Sequence, residues 1–133
     1  MRVILSNGIE LEAIIVNGST KYFQSANRDS LEFQFAKTIP LTFEELDLLF
    51  SNPLNTSKIT LVNSGNSYIH DNYSLKVSIG LIPVVIQSAT DTQEEVVEER
   101  YSVVMAQKTY NEIQMDSLVE TVDMLVMESL LGV

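Results

Sequence analysis

The chain has 133 residues, an apolar fraction of 45% and a net charge of −10, which fit one domain, or one domain with a helical appendage. It has no cysteine, which excludes a disulfide framework, a thiolate metal site and a cysteine nucleophile. Residues 91–133 hold ten acids against Arg100 and Lys108, and no basic patch exists, so we expect no direct nucleic-acid binding.

The N-terminal stretch does not have the pattern of a signal peptide. Asn7-Gly8 and Glu10 interrupt any apolar run there, and no basic start with a cleavage site is present. No window of the sequence is long and apolar enough to span a membrane. We therefore expect no membrane partner and a protein that folds in a cytoplasm.

Turn residues near the N-terminus predict antiparallel strands. Asn7-Gly8 lies between apolar runs at 2–6 and 9–16, and Asn-Gly between such runs is the strongest short hairpin signal. Asn17-Gly18 repeats this chemistry, which predicts a second turn and a further strand near 20–24.

The following segment predicts a loop and then a half-buried strand. Residues 25–30 are polar, which favours a loop. Aromatic and polar residues then alternate, a period that is typical of a strand with one buried face. We expect Phe33 and Phe35 to be buried, and Glu32 and Gln34 to be exposed.

Residues 42–51 predict a short helix inside the β region. Thr42 and Glu45 have the spacing of a capping box, in which each residue bonds the backbone N–H of the other. Asn52-Pro53 ends the helix, because the residue before a proline is disfavoured in helical conformation. The residues of the predicted buried stripe are Phe43, Leu46, Leu49 and Phe50.

The second half of the chain predicts further strands. Ser64-Gly65-Asn66 has turn chemistry, and Pro83 favours an edge position or a bend in its strand. Residues 90–99 are acidic and indicate a solvated loop or a hairpin arm. The predicted strands are 58–63, a return strand through Tyr68, 73–79, 81–86 and 101–105.

These elements predict an α+β fold. A mostly antiparallel β domain spans residues 1–108 and contains the short helix near 42–51. Residues 109–133 form a long amphipathic C-terminal helix that we interpret as an oligomerisation element.

The C-terminal helix is predicted from its cap and its apolar spacing. Thr109 and Glu112 fit a second capping box, and no glycine or proline follows before Gly132. Acids at 116, 120 and 123 lie on one side of the helix. The apolar stripe, and therefore the predicted oligomer interface, consists of Met115, Leu118, Val119, Val122, Leu125, Val126 and Leu130.

Two interpretations of this helix stay open. It either docks on its own domain or joins helices of other copies in a bundle. Met124, Met127 and Leu131 lie off the stripe, so the end of the helix is apolar nearly all round. We favour the bundle, because a helix that is apolar on several faces has to be buried on several sides.

No catalytic, cofactor or metal site is predicted. His70 and Asp71 are adjacent, and neighbours on a strand point to opposite faces, so they cannot act as a relay there. The glutamates of 94–99 lack the spacing and the glycine of a calcium loop. The glycines stand singly, so no phosphate-binding loop is present. We therefore expect a protein that is not an enzyme.

Six segments carry a resemblance to a known group of proteins: Gly18–Tyr22, Asn27–Phe33, Leu41–Leu46, Tyr68–Tyr73, Met105–Tyr110 and Val119–Leu130. With them the chain resembles the small accessory proteins encoded in the tail and baseplate gene clusters of tailed phages and prophages of Gram-positive bacteria. The resemblance covers nearly the whole chain. It implies a virion or assembly role without catalysis and other phage tail proteins as partners, and it transfers no functional residue.

Two hypotheses of function follow. The first is a structural or assembly protein of a phage tail or baseplate region, present in the cytoplasm of the bacterial host with or without incorporation in the virion, and homo-oligomeric through its C-terminal helix. The alternative is an acidic intracellular inhibitor or binding module whose segment 91–99 acts on a basic host protein. An apolar interface tolerates salt, whereas an acidic one weakens as screening rises.

Overall fold

A computed structural model describes the backbone of residues 1–130 and the side chains of residues 1–126. The strands in this part of the chain are β1 (Arg2–Ile4), β2 (Glu10–Glu12), β3 (Ile15–Phe23), β4 (Ala26–Ala36), β5 (Lys58–Asn63), β6 (Asn66–Asp71), β7 (Leu75–Gln87) and β8 (Val96–Ala106). The helices are α1 (Phe43–Ser51), α2 (Pro53–Thr56) and α3 (Tyr110–Leu130).

The strands form two antiparallel four-stranded sheets. Sheet A has the order β2-β1-β5-β6, and sheet B has the order β3-β4-β8-β7. Val3 and Ile59 of sheet A and Phe33 and Met105 of sheet B belong to one hydrophobic core, so the two sheets pack against each other. The predicted α+β class, with mostly antiparallel β structure, is confirmed.

The centre of the core is a group of three phenylalanine rings. Phe33, Phe35 and Phe50 are each fully buried, and their ring centroids lie 5.5–6.3 Å apart. Phe33 and Phe35 come from β4 and Phe50 comes from α1. Leu46 of α1 is also fully buried, so α1 contributes one face to this core.

Helix α1 confirms the helix that was predicted over 42–51. Thr42 Oγ1 accepts from the Glu45 N–H at 3.2 Å, and Glu45 Oε1 accepts from the Thr42 N–H at 3.3 Å. The predicted end at Asn52 is also correct, but a second short helix, α2, follows at once. Asn52 caps it by accepting from the Leu54 N–H at 3.1 Å, and Pro53 occupies its first turn.

The turn predicted at Asn17-Gly18 is wrong. Both residues lie within β3, where they pair with Glu32 and Leu31 of β4. The turn is instead at Gln24-Ser25, so the loop predicted over 25–30 is also wrong, because β4 begins at Ala26. Polarity misled the prediction, since the backbone of residues 26–29 pairs with residues 20–23 of β3 whatever the side chains are.

The strand predicted over 9–16 is divided between the two sheets. Its first part is β2, and Ile15 begins β3 in the other sheet. Ala13 lies between them and is buried, and the Ile14 N–H donates to the Gln34 carbonyl at 2.7 Å. The chain thus crosses from sheet A to sheet B at this point.

The alternation predicted for β4 holds on one face only. Phe33 and Phe35 are buried as predicted, but Gln34 is 9% exposed and Glu32 is half-buried. Strands β3 and β8 flank β4 on both sides and bring long side chains over it. Arg100 Nη1 donates to Gln34 Oε1 at 3.1 Å, so Gln34 is covered and hydrogen-bonded on the outer face.

The hairpin of β7 and β8 extends beyond the rest of sheet B. Strand β4 pairs with β8 only from Arg100 to Ala106, whereas β7 pairs with it as far as Val96. We call residues 83–99 the β-arm, a two-stranded ribbon closed by the loop 88–95. The strands predicted over 73–79 and 81–86 are one strand, β7. Because β7 is the outer strand of its sheet, the edge position, one of the two alternatives predicted from Pro83, is confirmed.

Candidate interaction surface on the C-terminal helix

Helix α3 starts directly after the last strand and is capped as predicted. Strand β8 ends at Ala106, and Thr109 precedes the first helical residue. The Glu112 N–H donates to Thr109 Oγ1 at 3.3 Å, and the Thr109 N–H donates to Glu112 Oε1 at 2.9 Å. This reciprocal pair satisfies two N–H groups that the first turn of a helix leaves open.

Arg28 fixes the start of α3 to the sheet. Its side chain is 1% exposed, and its guanidinium binds both carboxylate oxygens of Glu112, with Nη2 at 3.0 Å from Oε2. Nε donates to the Phe23 carbonyl at 2.7 Å, Nη2 to the Gln24 carbonyl at 3.1 Å and Nη1 to the Gln107 carbonyl at 3.2 Å. We call this set of bonds the Arg28 clamp, and it joins the β3–β4 turn, the end of β8 and the first turn of α3.

The clamp sets the charge state of its carboxylate. The hydrogen bond from Arg28, followed by that from the Thr109 backbone, lowers the pKa of Glu112 from 4.5 to about 2. The same hydrogen bond raises the pKa of Arg28 above its ordinary value. Both groups are therefore charged at neutral pH, and the bidentate geometry is the strong form of this pair.

The clamp also holds a turn with an unfavourable backbone. Gln24 and Ser25 have φ angles of 49° and 63°, a conformation that favours glycine or asparagine over these residues. Arg28 binds the carbonyl of Phe23 and that of Gln24. Its guanidinium is therefore one of the contacts that keep this two-residue turn in place.

Beyond its first turn, α3 leaves its own domain. Every described side chain from Gln114 to Val126 is exposed. The contacts at the start of the helix are the Arg28 clamp, the half-buried Ile113 and an ion pair of Lys108 Nζ with Asp116 Oδ2 at 2.8 Å. From Gln114 to Val126, therefore, no side chain of α3 is buried against its own domain.

The residues that we predicted to form an oligomer interface lie together on this exposed helix. Their exposed fractions range from 49% to 59%, and Met124 on the opposite side is 65% exposed. The side chain of Leu130 lies outside the described residues, as do those of Met127 and Leu131. The described members are Met115, Leu118, Val119, Val122, Leu125 and Val126.

The other sequence candidates do not form a chemical site. The ring of His70 packs edge-on against Tyr73, at 5.6 Å between centroids, while the Asp71 carbonyl accepts from Gln107 Nε2 at 2.9 Å. In the part of the chain that the structure describes, no three His, Asp or Glu side chains are placed to hold a metal ion.

Sequence reasoning missed two features. Arg28 was placed in a loop, and its partner Glu112 is 84 residues away, so no local signal could have joined them. The sequence predicts a solvated loop or a hairpin arm over 90–99, but it does not predict the exposed apolar surface of the β-arm. Val85 and Val97 are 52% and 47% exposed. Their exposure could not be predicted without knowing where β4 stops pairing with β8.

Comparison with family models, with curated proteins and with solved structures finds no match to this chain. Among the described residues, no helix has the length and hydropathy needed to cross a membrane.

Proposed function

We propose that this chain is a non-enzymatic structural or assembly protein that associates with further copies of itself through the apolar face of α3. The observation that carries the proposal is an apolar stripe held away from its own domain. Leu118, Leu125 and Val126 are 52–59% exposed although the start of the helix is fixed by the Arg28 clamp. Such a contiguous exposed apolar surface is characteristic of an interaction site.

The energy available from this face is sufficient for association. Full burial of one such side chain contributes ~1.5–3 kcal/mol, so covering the exposed half of six contributes roughly 5–9 kcal/mol per helix. Two helices supply twice this amount, against an entropic cost of association of roughly 4–15 kcal/mol. A pair of helices can thus be stable, and Met124 on the opposite face gives a further contact in a larger bundle.

The polar residues of α3 fit a bundle with one wet side. Asp116, Glu120 and Asp123 are exposed and lie at one flank of the apolar stripe. In a bundle this flank stays in water while the stripe is covered, as in helices that pack through one apolar seam. We therefore infer that α3 acts as an amphipathic helix in this bundle.

Sedimentation velocity on the purified chain tests self-association. The wild type is expected to sediment as an oligomer at tens of micromolar. Leu118→Asp with Leu125→Asp should give a folded monomer, because the two charges would otherwise be buried without partners. The matched control Ser64→Asp with Ser67→Asp adds the same charge at exposed positions of the β5–β6 hairpin and should leave the oligomer intact. A monomeric wild type would overturn the proposal.

The place of this protein in a phage tail or baseplate region is also a proposal, and it rests on the resemblance of its sequence segments. On this interpretation the chain acts in the cytoplasm of the bacterial host and contacts other tail proteins. The genes next to its own test the assignment. Tail or baseplate genes are expected on both sides, and a neighbourhood without phage genes would contradict it.

A further inference from the structure

The β-arm continues the core-facing side of sheet B beyond the core. Val103 of β8 is fully buried, and Tyr101, two residues nearer the arm, packs on Phe43 of α1 at 5.9 Å between ring centroids. Alternate residues of a strand share a face, so Val97 points to this same side. Val97 and its register partner Val85 are nevertheless 47% and 52% exposed.

The apolar surface of the β-arm is larger than this pair. Leu81, which pairs with Tyr101 at the base of the same face, is 47% exposed, and Val96, on the opposite face near the tip, is 41% exposed. The outer backbone edge of β7 carries Pro83, and the register shifts between Val85 and Gln87. Both features oppose the addition of another strand, so the ribbon offers side chains rather than backbone groups to a partner.

The charge of the β-arm is of one sign. No lysine or arginine occurs between Lys76 and Arg100. Glu98 pairs with Arg100 and Glu99 pairs with Lys37, each at 2.8 Å. Asp91, Glu94 and Glu95 form no ion pair with the residues that the structure describes. An apolar ribbon therefore ends in an acidic tip.

A second copy of this chain does not offer the complementary surface. Six of its cationic side chains are already in ion pairs among the described residues: Arg2, Arg28, Lys37, Lys76, Arg100 and Lys108. The remaining two, Lys21 and Lys58, lie on different sheets. Helix α3 is itself acidic, so its face would repel the tip of the β-arm.

We propose that the β-arm binds a different protein, through a surface that combines an apolar groove with a rim of lysine or arginine. Apolar contact with Val85 and Val97 supplies affinity, and the rim pairs with Asp91, Glu94 and Glu95. The arm and α3 extend from opposite ends of β8. One chain can therefore join its own copies at one end and hold a second protein at the other, and neither contact depends on the other.

Synthetic peptides of defined chemistry test this inference. The probe alternates lysine and valine, and its two comparison peptides alternate lysine with serine and glutamate with valine. Calorimetry should show the lysine–valine peptide binding at least about tenfold more tightly than either comparison peptide. Amide shifts in the full chain should map to residues 83–99, and binding should weaken as salt rises.

Two variants of the arm separate the apolar and the charged contributions. Val85→Ser with Val97→Ser should weaken the lysine–valine peptide at least about tenfold. The triple variant Asp91→Asn, Glu94→Gln and Glu95→Gln should weaken binding of this peptide to the same extent, although it leaves the apolar side chains of the β-arm unchanged. The matched control Asp116→Asn, Glu120→Gln and Asp123→Asn removes the same charge from α3 and should leave binding unchanged.

Several results would overturn the inference. The first is failure of the lysine–valine peptide to bind, and the second is equally tight binding of the glutamate–valine peptide. The third such result is that the charge-removing variant of the β-arm and the α3 control lose the same amount of affinity. A change of sedimentation state in the arm variants would show that the arm is a contact between copies. The monomeric α3 variant must retain peptide binding, which separates this test from that of self-association.

Discussion

Arg28 is a buried cation whose hydrogen-bond partners come from three separate parts of the chain. Its side chain is 1% exposed, while its carboxylate partner on Glu112 is 38% exposed. The guanidinium suits this position because its planar fork reaches a carboxylate and several carbonyls at once, which an ammonium group cannot do. The residue therefore contributes through geometry as well as charge.

Arg28→Met should lower the free energy of unfolding by roughly 2–4 kcal/mol, somewhat less than for a fully buried pair because Glu112 stays partly in water. Arg28→Lys should recover only part of the loss, since it keeps the charge and loses the fork. Urea denaturation measures both values. Lys37→Met removes a surface pair with Glu99 and should have a much smaller effect; equal losses for Arg28 and Lys37 would contradict the clamp.

The clamp also predicts a dependence of stability on pH. The pKa of Glu112 is about 2 in the folded chain and 4.5 ordinarily, so the unfolded state binds more protons between these values. The contribution of ionised Glu112 to the free energy of unfolding is then fully present above pH 4.5 and is lost as the pH falls towards 2. Glu112→Gln removes this contribution, so the stability gap between wild type and variant should shrink over that interval.

Urea titrations at pH 6, 4 and 2.5 measure that gap. Glu120→Gln on the same helix serves as the control, because Glu120 is exposed and has no ion pair among the described residues. Its stability gap to wild type should stay small at all three pH values. A gap for Glu112→Gln that does not change with pH would show that this carboxylate is not held by Arg28.

Strand β4 lies between β3 and β8 in sheet B and contributes two fully buried phenylalanines to the core. Phe33 is fully buried, with ring centroids at 6.3 Å from Phe35 and 5.5 Å from Phe50. Phe33→Ala should cost ~3–5 kcal/mol, through lost burial and the cavity that remains. Thermal and urea unfolding check this value against Ile15→Ala on β3, which is 40% exposed and should cost far less.

Local signals predicted the elements that depend on local bonds. Helix α1 was predicted correctly because Thr42 and Glu45 are three residues apart and bond each other. The turn at Gln24-Ser25 could not be predicted, because neither residue favours positive φ and Arg28 binds the carbonyl groups of Phe23 and Gln24. Gln34 was misjudged for a similar reason, since its cover comes from Arg100.

At the scale of the whole molecule, the sequence predicted which residues of α3 form a stripe but left open what covers them. The structure shows which of the two apolar helices enters the core. Leu46 and Phe50 of α1 are fully buried there, whereas the described side chains of α3 from Gln114 onward are exposed. Which of two apolar helices is buried in the core depends on how both sheets pack. The apolar periodicity of a single helix holds no information about that packing.

The Arg28 clamp has a consequence for the order in which the ribosome delivers the chain. Arg28 emerges early, whereas the carboxylate that neutralises it is made 84 residues later. Domains generally fold as units, and Arg28 remains hydrated and without its carboxylate partner until the start of α3 has been synthesised. The clamp can form only once the first turn of α3 is present, so a chain that ends before Glu112 lacks the bonds that orient the apolar helix.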